Sequence, residues 1–294
     1  VGLVTDAAFA ALAAAILFVP ALTAALAYTE NRRLGQLARQ RALLGGRLAL
    51  GLARAFGNSV WSLWLTVLAL PLGRLLGFDC NDSSGASGAG KPPVILVHGL
   101  YHNPAAWFVM RARLRAAGFR NLRCYGYASF GDSFADIADG LARLLLEVGA
   151  GAPGGRVLLL GHSLGGLVIR AACADPRLEA GGCRVAAVVT LGAPHRGSTL
   201  AGMLGIGKLA RGLAPEGEVI RLVRALPACG QPGLSLYTPT DGMVLPLSGA
   251  FLDADELAAG WEERALPAMS HVGLLYSGAA ARAALAFLAE KAAA

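Results

Sequence analysis

The segment Arg156-Val-Leu-Leu-Leu-Gly-His-Ser-Leu-Gly-Gly-Leu-Val-Ile-Arg170 sets a serine between glycines where an apolar run changes its period. Val157 to Leu160 is apolar at successive positions, as a strand buried on both faces requires, and Leu164 to Ala174 has helical spacing without proline. A serine at the tip of such a strand-turn-helix is strained, and the strain lifts its Oγ clear of the sheet, where it can attack an electrophile. Larger residues at Gly161 or Gly165 would collide with the adjoining strand and helix. The same turn puts the Leu164 N–H at a helix N-terminus, where it can stabilise negative charge developing on a substrate oxygen. A dinucleotide-binding turn would need glycine where Ser163 stands.

A serine hydroxyl is a weak nucleophile at neutral pH, so a base must take its proton and an acid must orient that base. The chain has 5 histidines. His162 adjoins the serine and is expected to point elsewhere; His98 and His102 flank a loop after an apolar strand, and His195 follows the strand beyond the turn. His271 is the preferred base, because strand-turn-helix serine enzymes order their groups Ser, acid, His and His271 lies in a loop before the last helix. The acid then belongs between the two at the C-terminal end of a strand. Asp241, in Ser235-Leu-Tyr-Thr-Pro-Thr-Asp-Gly-Met-Val244, meets that requirement, with Asp253, Asp255 and Glu256 in reserve. The second oxyanion donor should come from the loop after the first strand, where Gly99 lets the backbone of His98-Gly99-Leu100 turn and the Leu100 N–H joins that of Leu164. Such a unit needs no metal and no organic cofactor.

The elements that must hold these groups follow from Lys91 onward. Apolar runs at 93–98, 122–127, 184–191 and 234–237 read as strands, and 104–118, 134–148 and 279–291 as helices; strands alternating with helices predict a mostly parallel sheet covered on both faces. The 5 cysteines show no C-x-x-C pair and no histidine at metal spacing, which argues against zinc; they read equally as small buried hydrophobes or, outside the cytoplasm, as one or two disulfides such as Cys173 with Cys183. Gly85, Gly90 and Lys91 match the start of a phosphate-binding loop. Pro92 stands where its Ser or Thr should be, so that reading is rejected.

The first part of the chain differs in character. Ala7 to Tyr28 carries no charge and is long enough to span the ~30 Å hydrocarbon core as a helix. A second apolar stretch runs from Val60 to Gly73, and Arg32, Arg33, Arg39, Arg41, Arg47 and Arg54 lie between the two. The sequence is therefore expected to hold a hydrophobic helical anchor over 1–78, a glycine-serine linker over 79–91 and a catalytic domain over 92–294. A helical hairpin is preferred to a single span with an interfacial helix, or to a cleaved signal peptide, which would want a basic start. The positive-inside rule makes the arginine loop cytoplasmic and turns the catalytic domain toward the periplasm or exterior of a bacterial inner membrane. The net charge of +7 carries no nucleic-acid motif, so no nucleic-acid partner is expected.

With these pieces in place the chain resembles the bacterial triacylglycerol lipases of the α/β-hydrolase superfamily, especially the small ones with little or no lid. Val94-Ile-Leu-Val-His-Gly-Leu100 is similar to their oxyanion strand, Gly161-His-Ser-Leu-Gly-Gly166 to their nucleophile turn, and Val188-Val-Thr-Leu-Gly-Ala-Pro-His-Arg-Gly-Ser198 to the strand that follows. Thr240-Asp-Gly-Met-Val244 and Ser270-His-Val-Gly-Leu-Leu-Tyr-Ser277 resemble their acid and histidine segments. The resemblance covers about residues 92 to 290 and implies an α/β-hydrolase fold and hydrolysis of acyl esters through an acyl-enzyme on Ser163. A thioesterase or acyltransferase with the same nucleophile is the alternative within enzymes, and a noncatalytic membrane interaction protein the alternative outside them. Two departures bear on the substrate: the N-terminal region is absent from the secreted lipases, and 197–232 is long enough for a small lid or a packed helix.

Overall fold

The structure, a computed structural model, describes residues 2–75 and 90–293. The proposed linker, except for Gly90 and Lys91, and Cys80 lie outside the described residues.

Six strands form one parallel sheet in the order β2-β1-β3-β4-β5-β6: β1 is Val94–Val97, β2 Leu122–Tyr125, β3 Arg156–His162, β4 Arg184–Leu191, β5 Gly233–Tyr237 and β6 Glu262–Ala265. Alternate side chains explain why helices cover both faces. Ile95, Val97, Val157 and Leu159 pack on one side with Leu141 and Leu145 of the helix Phe134–Ala150. Val94, Leu96, Leu158 and Leu160 pack on the other with Met110 and Leu114 of Phe108–Ala116 and with Leu288 of the terminal helix Gly278–Ala293. All of these are fully buried, and a core of this kind supplies most of the favourable free energy of folding. The register sets Val97 beside Gly161, and Gly161 beside Thr190, so the C-terminal ends of β1, β3 and β4 come level. Ligand sites of open parallel sheets form at that end.

The sequence reading did not include β6. Its Glu262, Glu263 and Arg264 lack the apolar pattern of the inner strands, as befits the sheet edge, where charge discourages further pairing. The segment expected to be helical from Pro104 begins with a short 3-10 turn, Pro104–Trp107, whose start is capped by the Asn103 side chain accepting from Ala105 N.

Three helices precede the sheet: α1 (Gly2–Arg33), α2 (Leu37–Leu43) and α3 (Leu48–Leu75). Here the expectation of a membrane-spanning hairpin is not supported. Among the described residues no helix is long and apolar enough to cross a membrane. α1 and α3 pack on each other, and the polar groups along them are used by the sheet-bearing part of the chain. Asn31 Oδ1 accepts from Leu247 N at 2.8 Å and Gln40 Nε2 donates to Pro239 O at 2.7 Å. Asn58 Oδ1 accepts from both the N and the Oγ of Ser270, each at 2.9 Å, and Ser62 Oγ lies 3.1 Å from Ser270 Oγ. The hydroxyls of Thr66 and Tyr276 are 3.0 Å apart. Ala27 of α1 is buried in a small apolar cluster with Leu200 and Leu245. An apolar run is equally satisfied by lipid or by protein; the partners of Asn31, Gln40 and Asn58 distinguish the two, because these side chains meet them only in the docked arrangement.

The cysteines divide between the two readings left open for them, and the example pair Cys173 with Cys183 is not formed. Cys173 and Cys183 are free, as is Cys229, and Cys124 is disulfide-bonded. Cys183 is held instead by its thiol donating to Leu145 O. Lys91, the lysine of the rejected phosphate loop, donates to Ala117 O at 2.6 Å and lies over the Phe119 ring.

A chain that begins at residue 90 is therefore expected to fold less stably than the full chain. Losing several hydrogen bonds of ~1 kcal/mol each, together with the α1 apolar contact, should lower the thermal midpoint by roughly 10 °C and increase binding of a hydrophobic dye. Calorimetry of the two chains checks this, and equal midpoints would refute the integral role of the N-terminal helices.

Candidate active site

Ser163 stands between the end of β3 and the helix Leu164–Cys173, with φ 55 and ψ −125. A non-glycine residue there costs ~1–3 kcal/mol and persists only where its surroundings leave no alternative. The surroundings are identifiable. A Cβ at Gly161 would lie 2.7 Å from Gly166 N, and one at Gly165 would overlap the carbonyl oxygens of Val97 and His98, so strand and helix approach more closely than any side chain permits. Ser163 N donates to Leu191 O at 2.9 Å, tying the turn to β4. Leu164 is the first residue of its helix, and its N–H has no acceptor within that helix.

The loop after β1 lies against the same turn. A Cβ at Gly99 would be 2.9 Å from Ser163 Cβ, which brings the backbone leading to Leu100 close to the serine, and Leu100 lines the cavity containing Ser163. His98 pins this loop. Its ring stacks on Tyr127 at 4.2 Å, its Nε2 accepts from Tyr127 N, and its Nδ1 donates to Gly99 O at 2.9 Å. Burial pushes the His98 pKa down to about 4, which keeps the ring neutral and this tautomer in place.

Asp241 and His271 meet although 30 residues separate them: His271 Nδ1 donates to Asp241 Oδ2 at 2.7 Å, and both residues are 5% exposed. Asp241 Oδ1 accepts from Met243 N and Val244 N at 2.8 and 2.9 Å, which fixes the carboxylate in its loop. Thr240 joins the two loops, since its Oγ1 donates to Met269 O at 2.9 Å and accepts from Met269 N at 3.0 Å. With Nδ1 committed, His271 Nε2 is the nitrogen left for a proton from elsewhere. Ser163, His271, His102 and His162 share the lining of one cavity of about 440 Å³.

The reserve carboxylates are occupied otherwise. Glu256 forms a buried ion pair with Arg170 and accepts from Asp253 N, and Asp253 bridges Arg196 at 3.0 Å and Arg224 at 2.7 Å. Asp255 lies in the short helix Ala254–Ala258 beside them. His195 belongs to the same polar core, between Arg170, Thr190 and Ser235.

Two contributions were not legible in the sequence reading. His162, expected to point away, donates from Nε2 to the carbonyl oxygen of His271 at 3.1 Å and its ring lies 4.7 Å from that of His271. Burial, and then the neighbouring His271, hold its pKa well below the usual histidine range, so it supports the His271 backbone as a neutral donor. Its position beside the serine was the available signal. The other contribution is that of α3, whose Asn58 and Ser62 hold Ser270, the residue before His271; hydropathy gave no hint of it.

These buried neutral histidines set an acid limit to stability. A histidine whose folded pKa lies below its ordinary 6.5 binds fewer protons folded than unfolded between the two values, so stability is full above ~6.5 and falls as pH drops toward the folded value. For His98 that window is about 4 to 6.5, and burial likewise lowers His162 and His195. Unfolding free energy should be level near pH 7 to 8 and decline from 6.5 to 4, and His98→Asn should make the decline shallower by up to ~1.4 kcal/mol per pH unit. Denaturant titrations across pH measure both slopes.

Comparison with known proteins places this architecture. The model of the Alpha/beta hydrolase family matches residues 94–291. Among curated proteins, "Probable esterase PIR7A" of Oryza sativa subsp. indica is 36% identical over 117 residues, 38% of this chain and 44% of that protein. "Esterase PIR7B" of Oryza sativa subsp. japonica is 39% identical over 90 residues, 28% of this chain and 33% of that one. The match thus spans less than half the length of these relatives. Among solved structures, Aspergillus fumigatus lipase B superposes with a TM-score of 0.60 at 21% identity, covering 70% of this chain and 54% of that one. Bacillus licheniformis lipase BlEst2 in mature form gives 0.54 at 20% identity, covering 68% and 93%. Plant, fungal and bacterial proteins appear together, so the narrower likeness to small bacterial lipases without a lid is not carried by these matches. The coarser one is, and the chain belongs to the alpha/beta hydrolase family.

Proposed function

We propose that the protein is a serine ester hydrolase in which Ser163, His271 and Asp241 act as one unit. The observation that carries this reading is the buried 2.7 Å bond from His271 Nδ1 to Asp241 Oδ2, beside a cavity that also contains the positive-φ Ser163. In the proposed reaction His271 Nε2 takes the Ser163 proton as Oγ bonds to the ester carbonyl carbon. The oxyanion is received by the N–H groups of Leu100 and Leu164, and His271 then returns the proton to the departing alcohol. Water, deprotonated by the same nitrogen, attacks the acyl-enzyme; the acid leaves and Ser163 recovers its proton. The esterase and lipase names of the relatives support an ester as the bond cleaved.

The location is also part of the proposal. A disulfide at Cys124 is at home in an oxidising compartment, which supports the periplasm or cell exterior. Leu17, Phe18, Trp61 and Leu68 are exposed on α1 and α3, and they support attachment to a membrane surface in place of a crossing. On this reading alkaline extraction should release the intact chain from membranes; retention in the pellet would reject surface attachment.

The unit is tested by substitution. Ser163→Ala and His271→Ala should each lower kcat/KM for a short acyl ester by about 10⁴-fold or more with unchanged circular dichroism, and Asp241→Asn by somewhat less but still ~10²-fold or more. A serine-directed phosphonate should label Ser163 at the same rate with or without a chelator. Full activity in Asp241→Asn, or labelling at another serine, would overturn the assignment.

A further inference from the structure

The cavity beside Ser163 has two apolar walls, and one of them comes from the N-terminal helices. Val19 and Thr23 of α1 and Leu63, Thr66 and Val67 of α3 line it; Leu200, Ala210 and Leu213 of the 197–232 segment line it as well. Among the described residues no Asp, Glu, Lys or Arg is in the lining. His102 is pushed down to about 3 by burial, and His162 is held neutral as well, so neither supplies a cation near neutral pH. A charged group on a substrate would be desolvated there without a partner, at a cost of several kcal/mol by typical measure.

The spacing along α3 explains how one helix both docks and lines. Asn58, Ser62 and Thr66 recur every four residues and form a polar stripe, which is the row bonded to Ser270 and Tyr276. Thr66 also donates to Ser62 O at 2.9 Å, so its polarity is consumed within that row. A Cβ at Gly273 would overlap Asn58 Oδ1, which shows how closely the helix sits on the histidine loop. Leu63 and Val67, one residue further along each turn, form the adjacent row and reach the cavity.

We propose that this row is the chain-length gauge of the enzyme: the substrate is a neutral ester with a linear apolar chain, and that chain runs along α3, with Leu63 and Val67 setting the length accepted. The inference rests on the ester-hydrolase reading above and names the substrate class of the same site. Because the Asn58 and Ser62 bonds seat the gauge on the loop bearing His271, its distance from the reacting atoms is fixed.

The test uses the full-length chain with Leu63→Trp, Leu63→Ala and Val67→Phe, and with Leu213→Trp in the part of the lining outside the N-terminal helices, each first shown to melt cooperatively. Substrates are two series, p-nitrophenyl alkanoates and alkyl acetates, from two to twelve carbons. In the responding series, Leu63→Trp and Val67→Phe should lower the kcat/KM ratio of a ten-carbon to a two-carbon member by about 10-fold, and Leu63→Ala should move the optimum to longer chains. Linear alkanols of rising length, followed by thermal shift, give a readout without turnover, and the longest alkanol that stabilises the protein should shorten in Leu63→Trp. Unchanged ratios in both series and an unchanged alkanol cut-off would overturn the gauge, as would a shift confined to Leu213→Trp. A wild-type chain that binds alkanols with this dependence on Leu63 but hydrolyses neither series would reject the ester-hydrolase reading and keep the wall.

Discussion

Everything at the C-terminal end of the sheet is arranged around one strained residue. Ser163 holds φ 55 because the following helix meets β3 at Gly161, the end of β1 at Gly165 and the end of β4 at Gly166 with no room for a Cβ. The strain is small against a core buried on both faces of β1, β3 and β4, so the sheet can impose it. In return the turn projects the hydroxyl from the sheet and opens the helix N-terminus beside it. The same steric exclusion brings the loop of His98 and Gly99 against the serine, so the proposed nucleophile and the proposed oxyanion donors share one cause.

The proposed acid and base depend on a different kind of constraint. Asp241 and His271 sit on loops after β5 and β6, and neither loop has regular structure to hold it. Their positions come from polar ties between loops: Thr240 to Met269, Ser198 Oγ donating to Met243 O at 2.6 Å, and His162 to the His271 carbonyl. Such ties are worth most where water is excluded, and these are buried. The N-terminal helices complete that exclusion. Gln40 reaches the Asp241 loop at Pro239, Asn58 and Ser62 reach the His271 loop at Ser270, and Leu63 and Val67 line the cavity beside His271. The region that reads as an accessory anchor is in this way continuous with the site.

The polar cluster of Arg170, Glu256, His195, Thr190 and Ser235 shows why sequence order alone leaves an acid ambiguous. Glu256 follows β5 just as Asp241 does, and both are buried carboxylates. What separates them is the neighbour each meets: a guanidinium that neutralises Glu256, an imidazole at the cavity for Asp241. A buried ion pair of this sort is costly to break and sits deep in the packing, which suits it to holding the short helix Ala254–Ala258 against the sheet, and neither of its members lines the cavity at Ser163.

Residue spacing by itself determined those features whose physics is local. The run from Val157 to Arg170 carries its strand, turn and helix in its own periodicity and glycines, and Ser163, Asp241 and His271 stand in the order that strand-turn-helix serine enzymes keep. Charged β6 was invisible because an edge strand needs no apolar pattern, and the role of His162 because one ring rotation decides what it faces. Only the tertiary structure decided the fate of the N-terminal helices. Hydropathy measures the cost of exposing a side chain to water and has no term for what replaces the water, so Leu63 reads the same against lipid or against a cavity. Asn58, Ser62 and Thr66, three polar residues one turn apart, resolve the choice only when Ser270 and Tyr276 are brought opposite them.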